Sequence, residues 1–148
     1  MARLQPYKNW KEQELKEALM LHLSRFLCDP KLKNLWGAAI LEAFKSDEWE
    51  VINDFNGCTL VQDEFHPCPA CFVHDYMWIT GHGGAMADRI FYNLMLAEGM
   101  KVAKAKRRFA GVRVAWFAYF KWKYIKAHKQ SQPTSAMINL DNYFRNGI

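Results

Sequence analysis

The chain has 148 residues, 51% of them hydrophobic and 15% aromatic. This is enough apolar material for the core of one ordinary domain, and it excludes a wholly disordered polypeptide. The net charge is +5. No uncharged apolar run reaches the length of about 18 residues that a membrane span needs. The stretch Met1–Glu17 also lacks the apolar core of a signal peptide. The chain is therefore expected in a cytosol, or released by lysis rather than secretion, with no transmembrane segment.

In chain order, Trp10 to Cys28 reads as an amphipathic helix. Leu15, Leu19, His22, Leu23 and Phe26 recur there at three- and four-residue steps. Asp29-Pro30 is expected to end it, since proline disfavours helix in the residue before it. Leu35, Trp36, Ala39, Ile40, Ala43 and Phe44 give a second helix from Leu32 to Phe44 the same period. Residues Ser46 to Pro69 are less regular. Trp49, Val51, Ile52 and Phe55 fit a short helix or a strand, Asn56-Gly57 is a turn signal, and Thr59–Phe65 fits a strand.

Pro69 suits the first turn of a helix, where its missing N–H costs nothing. The helix continues from Ala70 to Thr80. Gly81-His82-Gly83-Gly84 then supplies a tight reversal. A partner helix runs from Ala85 to Glu98, with Met86, Ile90, Leu94 and Ala97 on one face. After Gly99 comes a basic and aromatic segment to about Lys129. The remainder, 131–148, reads as a loosely packed extension. The expected architecture is a single domain over 1–148, mostly α, built on a central antiparallel helix hairpin. Amphipathic helices occupy 1–55, the hairpin core and the long basic-aromatic helical segment occupy 66–129, and a short β element is allowed for near 59–65.

Charge is unevenly spread. Glu42 to Glu64 holds seven acidic residues and one basic, whereas Gly99 to Lys129 holds ten basic and no acidic ones. Lys101, Lys104, Arg107 and Arg108 fall on three- and four-residue steps, so one helix face can be strongly positive. Further on, Trp116, Phe117, Tyr119, Phe120, Trp122 and Tyr124 interleave with Lys121, Lys123 and Lys126. This mixture suits an anionic phospholipid surface. It also suits another virion protein or, less well, nucleic acid. Six aromatics within residues 116–124 exceed one core-facing stripe, so oligomerisation through this segment is a further expectation. The bland alternative is a core helix with a solvated basic face.

The chemistry-bearing residues lie at the hairpin. His74 sits near the end of its first helix and Asp88 in the first turns of the second. Their heights from the turn differ by about one helical turn, and neighbouring helices pack roughly 8–10 Å apart, a gap that imidazole and carboxylate can bridge. A carboxylate that fixes one imidazole tautomer leaves the other nitrogen to take a proton from water. Asp75 points about 100° away around the helix and could hold a cation, calcium being suited to hard oxygen ligands. Against this, a histidine on an apolar helix is more often structural, and Asp88 can serve as an N-terminal helix charge.

The string Cys71-Phe-Val-His74-Asp75-Tyr-Met-Trp78 resembles the C-x-x-H-D-x-x-Y helix of the phospholipase A2 superfamily, with Trp78 in place of tyrosine. Ala87-Asp88-Arg-Ile-Phe91 resembles the A-D-x-x-F of the capsid-borne phospholipases of parvoviruses. More closely still, the two strings resemble an uncharacterised bacterial and phage family with H-D-Y-x-Y followed by A-D-R-I-F. The resemblance spans Cys71 to about Tyr124. It implies lipid ester hydrolysis with His74 and Asp88 as catalytic pair, and a calcium ion held by Asp75 and by backbone carbonyls near Asn56-Gly57-Cys58. That stretch carries one glycine in place of the family's Y-G-x-G-x-G. The secreted members' many disulfides have no counterpart among four cysteines, Cys28, Cys58, Cys68 and Cys71.

Two rival readings remain. In a reducing compartment the cysteines are expected as thiols. Cys58, His66, Cys68, Cys71 and His74 could then supply a tetrahedral zinc site, which would consume His74. A Cys71–His74 thiol pair lacks a recognisable hydrolase context. The other function class is non-enzymatic: a phage or virion assembly protein that keeps the hairpin as scaffold.

Overall fold

A computed structural model describes residues 7–55, 67–82, 84–115 and 133–146. Among the described residues there are seven helices and no strand, so the fold is mostly α. We number them α1 (Glu12–Arg25), α2 (Pro30–Lys45), α3 (Val51–Asp54), α4 (Pro69–Ile79), α5 (Ala85–Ala97), α6 (Val102–Ala115) and α7 (Ser135–Asn146). The expected β element at 59–65 and the aromatic run 116–124 lie outside the described residues.

The periodic apolar residues do what their spacing dictates. Leu15, Leu19 and Leu23 line the buried stripe of α1. Trp36, Ala39, Ile40 and Ala43 do the same for α2. The Asp29-Pro30 pair acts differently from the sequence reading. α1 already ends at Arg25, and Asp29 opens α2: its carboxylate accepts the Lys31 N–H at 3.0 Å, and Pro30 takes the first helical position. The same dipeptide that disfavours one helix starts the next.

α4 is apolar on nearly every side, with Ala70, Cys71, Phe72, Val73, Tyr76, Met77, Trp78 and Ile79 all buried. A helix of that kind belongs in the interior. It packs against α1, α2 and α5. An aromatic cluster closes one flank: Phe72 stacks on Phe44 and meets Phe55 edge-on, while Phe55 stacks on Tyr7.

α5 is bracketed by two glycine stops. At the end of α4, the His82 N–H bonds the Met77 carbonyl at 2.7 Å and the Gly81 N–H bonds that of Trp78 at 3.3 Å. At the end of α5, Met100 and Gly99 repeat the pattern onto Met95 and Leu96. Gly81 and Gly99 hold φ of 89° and 96° there, the left-handed conformation this helix stop requires. The two stops end α4 and α5.

The C-terminal extension is corrected by the structure. Residues 135–146 form α7, which packs against α2 and α5 and buries Met137, Leu140 and Asp141. Asp141 pairs with Arg145 at 3.1 Å and Arg89 at 3.7 Å. Thr134 donates to Glu42 at 2.8 Å, and Glu42 also accepts from Tyr76 at 3.2 Å. Tyr143 donates to Asp29 at 2.8 Å. The Lys31 N–H and then the Tyr143 hydroxyl hold the Asp29 carboxyl below its ordinary range. A carboxyl so lowered favours the fold above its unfolded value, and that preference is lost as pH falls through the folded one. The polar scatter of 131–148 masked an apolar stripe at Met137, Leu140 and Phe144, which is helical spacing.

Leu140 is fully buried. Replacing it with alanine should therefore lower stability by about 2–4 kcal/mol in urea unfolding. A loss below about 0.5 kcal/mol, the range of surface substitutions, would return α7 to a loosely attached tail.

Candidate active site

The hairpin brings His74 and Asp88 together. His74 Nε2 lies 2.7 Å from Asp88 Oδ1. The carboxylate is fully buried, while the imidazole keeps 11% of its side chain exposed. The described residues offer no hydrogen-bond partner to Nδ1. A buried carboxylate needs partners to offset its lost hydration, and Asp88 has three. The Trp78 N–H approaches Oδ1 at 3.1 Å, and Arg113 donates to Oδ2 at 2.9 Å.

One ambiguity in this cluster resolves on chemical grounds. Trp78 Nε1 also stands 2.8 Å from His74 Nε2. Indole is a donor only, so this contact is a bond only if Nε2 carries no hydrogen. In that case Nε2 and a carboxylate oxygen would face each other as two acceptors at 2.7 Å. The consistent assignment puts the hydrogen on Nε2, donating to Asp88. Trp78 then donates to the same carboxylate, and Nδ1 is the acceptor nitrogen.

The spacing of the two strings now has a geometric reason. Asp88 and Phe91 are one turn apart on α5, on the same face. Asp88 holds the edge of the imidazole, and Phe91 covers its plane, stacked at 4.4 Å with the rings 25° apart. Trp78, one turn beyond His74 on α4, closes the third side. Orientation and plane of the ring are both set by neighbours on rigid helices.

Sequence reasoning missed Arg113. It sits on α6, half-buried with 26% of its side chain exposed. The signal was available: Ala105, Phe109 and Val112 mark the inner face of α6 at helical steps; Ala105 and Val112 pack against the core, and Phe109 meets the Tyr92 ring at 5.6 Å. Counting charge concealed that stripe. It also misplaced Arg108, which was expected on a positive outer face with Lys101, Lys104 and Arg107. Arg108 is only 7% exposed and points inward. Lys101 and Arg107 are exposed and Lys104 is half-exposed. Trp116, Lys121, Trp122 and Lys123 lie outside the described residues.

For metal binding, Asp75 is half-buried next to His74, and Asn56 and Cys58 lie outside the described residues. Among the described residues no group of three or more His, Cys, Asp or Glu could hold an ion. The thiol expectation is corrected at one position: Cys71 is disulfide-bonded. In that form it offers no thiolate to zinc, nor to a Cys71–His74 pair. The Cys68 sulfur faces the Glu98 carboxylate at 3.4 Å.

The ion pair should show in unfolding. Arg113→Met should cost about 2 kcal/mol in the native background, because it withdraws a partner from a buried carboxylate. With Asp88→Asn already present, the cost should shrink by at least about 1 kcal/mol. Additivity within about 0.5 kcal/mol would mean that the two groups do not interact.

A family model described as "Protein of unknown function (DUF1353)" matches residues 58–112. That stretch contains both dyad residues, Trp78 and Phe91, and stops one residue before Arg113. No curated protein and no solved structure matches the chain.

Proposed function

We propose that this chain hydrolyses ester bonds of phospholipids in the manner of the phospholipase A2 superfamily, with His74 as general base. The observation that carries the reading is the 2.7 Å bond from His74 Nε2 to buried Asp88, which leaves Nδ1 as the acceptor nitrogen of a ring that keeps 11% of its side chain exposed. In the reaction, Nδ1 takes a proton from water as its oxygen attacks the ester carbonyl. Asp88 keeps the imidazole in the required tautomer and supports the imidazolium that forms. The proton then passes to the leaving alcohol oxygen. Phe91 prevents the ring from tilting away during the transfer.

A calcium ion, if bound, would supply an electrophile for the oxyanion. Asp75 is the one described residue of the expected set, and among the described residues no group of three or more His, Cys, Asp or Glu that could hold an ion includes it. The membrane-facing side in this reading is α6, where Lys101, Lys104 and Arg107 would meet anionic head groups and exposed Val102 and Val114 the acyl region. No described helix is long and apolar enough to cross a membrane. Arg113 links that helix to the dyad.

A second reading has an observation of its own. Asp88 is fully buried and neutralised by Arg113, as in a structural ion pair that locks three helices. A virion or assembly protein could keep such a lock without catalysis.

Fatty-acid release from anionic phospholipid vesicles, with and without calcium, separates the two. The native chain should release acyl product. His74→Ala should reduce the rate by about 100-fold or more while far-UV circular dichroism stays helical. Absence of release from the folded native chain in either condition would leave the scaffold reading.

A further inference from the structure

Three polar atoms meet at the centre of the site, and their positions admit two hydrogen-bond patterns. Trp78 Nε1 stands 2.8 Å from His74 Nε2 and 3.1 Å from Asp88 Oδ1, while Nε2 and Oδ1 are 2.7 Å apart. In the first pattern the ring hydrogen is on Nε2, and imidazole and indole both donate to Oδ1. In the second the ring hydrogen is on Nδ1, and the indole donates to Nε2. The second leaves Nε2 and Oδ1 as two acceptors in contact, so the carboxylate must turn until Oδ1 points elsewhere. A carboxylate is planar and turns as a unit about its bond to Cβ, so Oδ2 would move as well. Arg113 holds Oδ2 at 2.9 Å. That guanidinium comes from α6, outside the hairpin, and α6 packs against α5. Asp88 is fully buried, so the orientation of its oxygens depends on protein donors.

We propose that Arg113 is a positioning residue that selects the tautomer of His74. The carboxylate of Asp88 is gripped at Oδ2 from α6 and at Oδ1 from α4. Donors on two different helices fix its plane, and the pattern consistent with that plane has hydrogen on Nε2. The charge of Arg113 acts in the same direction. It favours the ionised carboxylate, which only accepts, over the protonated one, which would donate to Nε2 and send the ring hydrogen to Nδ1. Without Arg113 the carboxylate is free to swing, Trp78 takes Nε2, and Nδ1 becomes a donor. A donor nitrogen takes no proton from water. The hairpin thus supplies the imidazole, the carboxylate and the indole, and α6 supplies the choice between the two patterns. Arg113 touches no reacting atom in this role and acts through Asp88. Tautomer selection stands on the hydrogen-bond geometry, whereas its effect on turnover rests on the hydrolase reading of His74.

The test reads the ring nitrogens of His74 in the full-length protein, in buffer alkaline enough that the ring carries one hydrogen. Nitrogen-15 NMR of histidine-labelled chain provides the signal, assigned by its loss in His74→Ala. The native chain should show hydrogen on Nε2. Arg113→Met, with helical circular dichroism retained, should raise the ratio of the Nδ1–H to the Nε2–H form. The expected rise is about tenfold or more, the factor that one hydrogen bond to a charged group supplies. Arg113→Gln keeps a polar head at this half-buried position and gives the same reading where the methionine variant loses its helical signal. Trp78→Phe removes the donor that the second pattern needs. Added to Arg113→Met, it should return the hydrogen to Nε2. An unchanged ratio in the folded Arg113 variants would overturn the proposal. Persistence of the Nδ1–H form in the double variant would overturn the competition between indole and carboxylate beneath it. In acyl release from vesicles, Arg113→Met should lower kcat about tenfold with KM unchanged. A shifted ratio beside a native chain that releases no acyl product would support the positioning role and overturn the hydrolase reading alone.

Discussion

One buried carboxylate organises the centre of this molecule. Asp88 has no solvent contact, and its charge is carried by an imidazole from α4, an indole from α4 and a guanidinium from α6. A lone ionised carboxylate at that depth would cost far more than a domain's net stability can absorb. The three helices are therefore constrained to arrive together. The two glycine stops around α5 serve that constraint, because they set where α5 begins and ends relative to its neighbours.

The same arrangement has chemical content. Arg113 makes burial of Asp88 tolerable but also shares its charge. Less of that charge remains to support an imidazolium than an unshared carboxylate would offer. The balance is tempered by geometry: Arg113 engages Oδ2 and His74 faces Oδ1. The imidazole is then held by direction as much as by charge, with Phe91 fixing its plane. Preorganisation of this kind suits a base that must meet water at one nitrogen. It equally makes the cluster stiff, which is why the scaffold reading has weight.

The sequence made the hairpin legible because its signals were local. Proline opened α4, Gly81 closed it, and the 3.6-residue stripe defined α5. The pair His74 and Asp88 followed from helix rise alone. What stayed hidden was non-local. Arg113 reaches Asp88 from 25 residues away, and Arg108 is buried on the same helix. The inward face was visible only as a stripe of Ala105, Phe109 and Val112, weak beside the dense positive charge. α7 was lost for a similar reason. Its polar residues looked like a solvated tail, yet Asp141, Tyr143 and Thr134 are paired with groups on other parts of the chain or on α7 itself. The oxidised state of Cys71 could not be read from a count of four cysteines.

The proposed chemistry turns on which imidazole nitrogen carries the hydrogen. Nitrogen-15 NMR of the neutral His74 ring reads this directly. Hydrogen on Nε2, with Nδ1 showing the shift of an unprotonated ring nitrogen, is the predicted result. Hydrogen on Nδ1 would mean that Nε2 accepts from Trp78 instead, and the nitrogen assigned to activate water would be blocked.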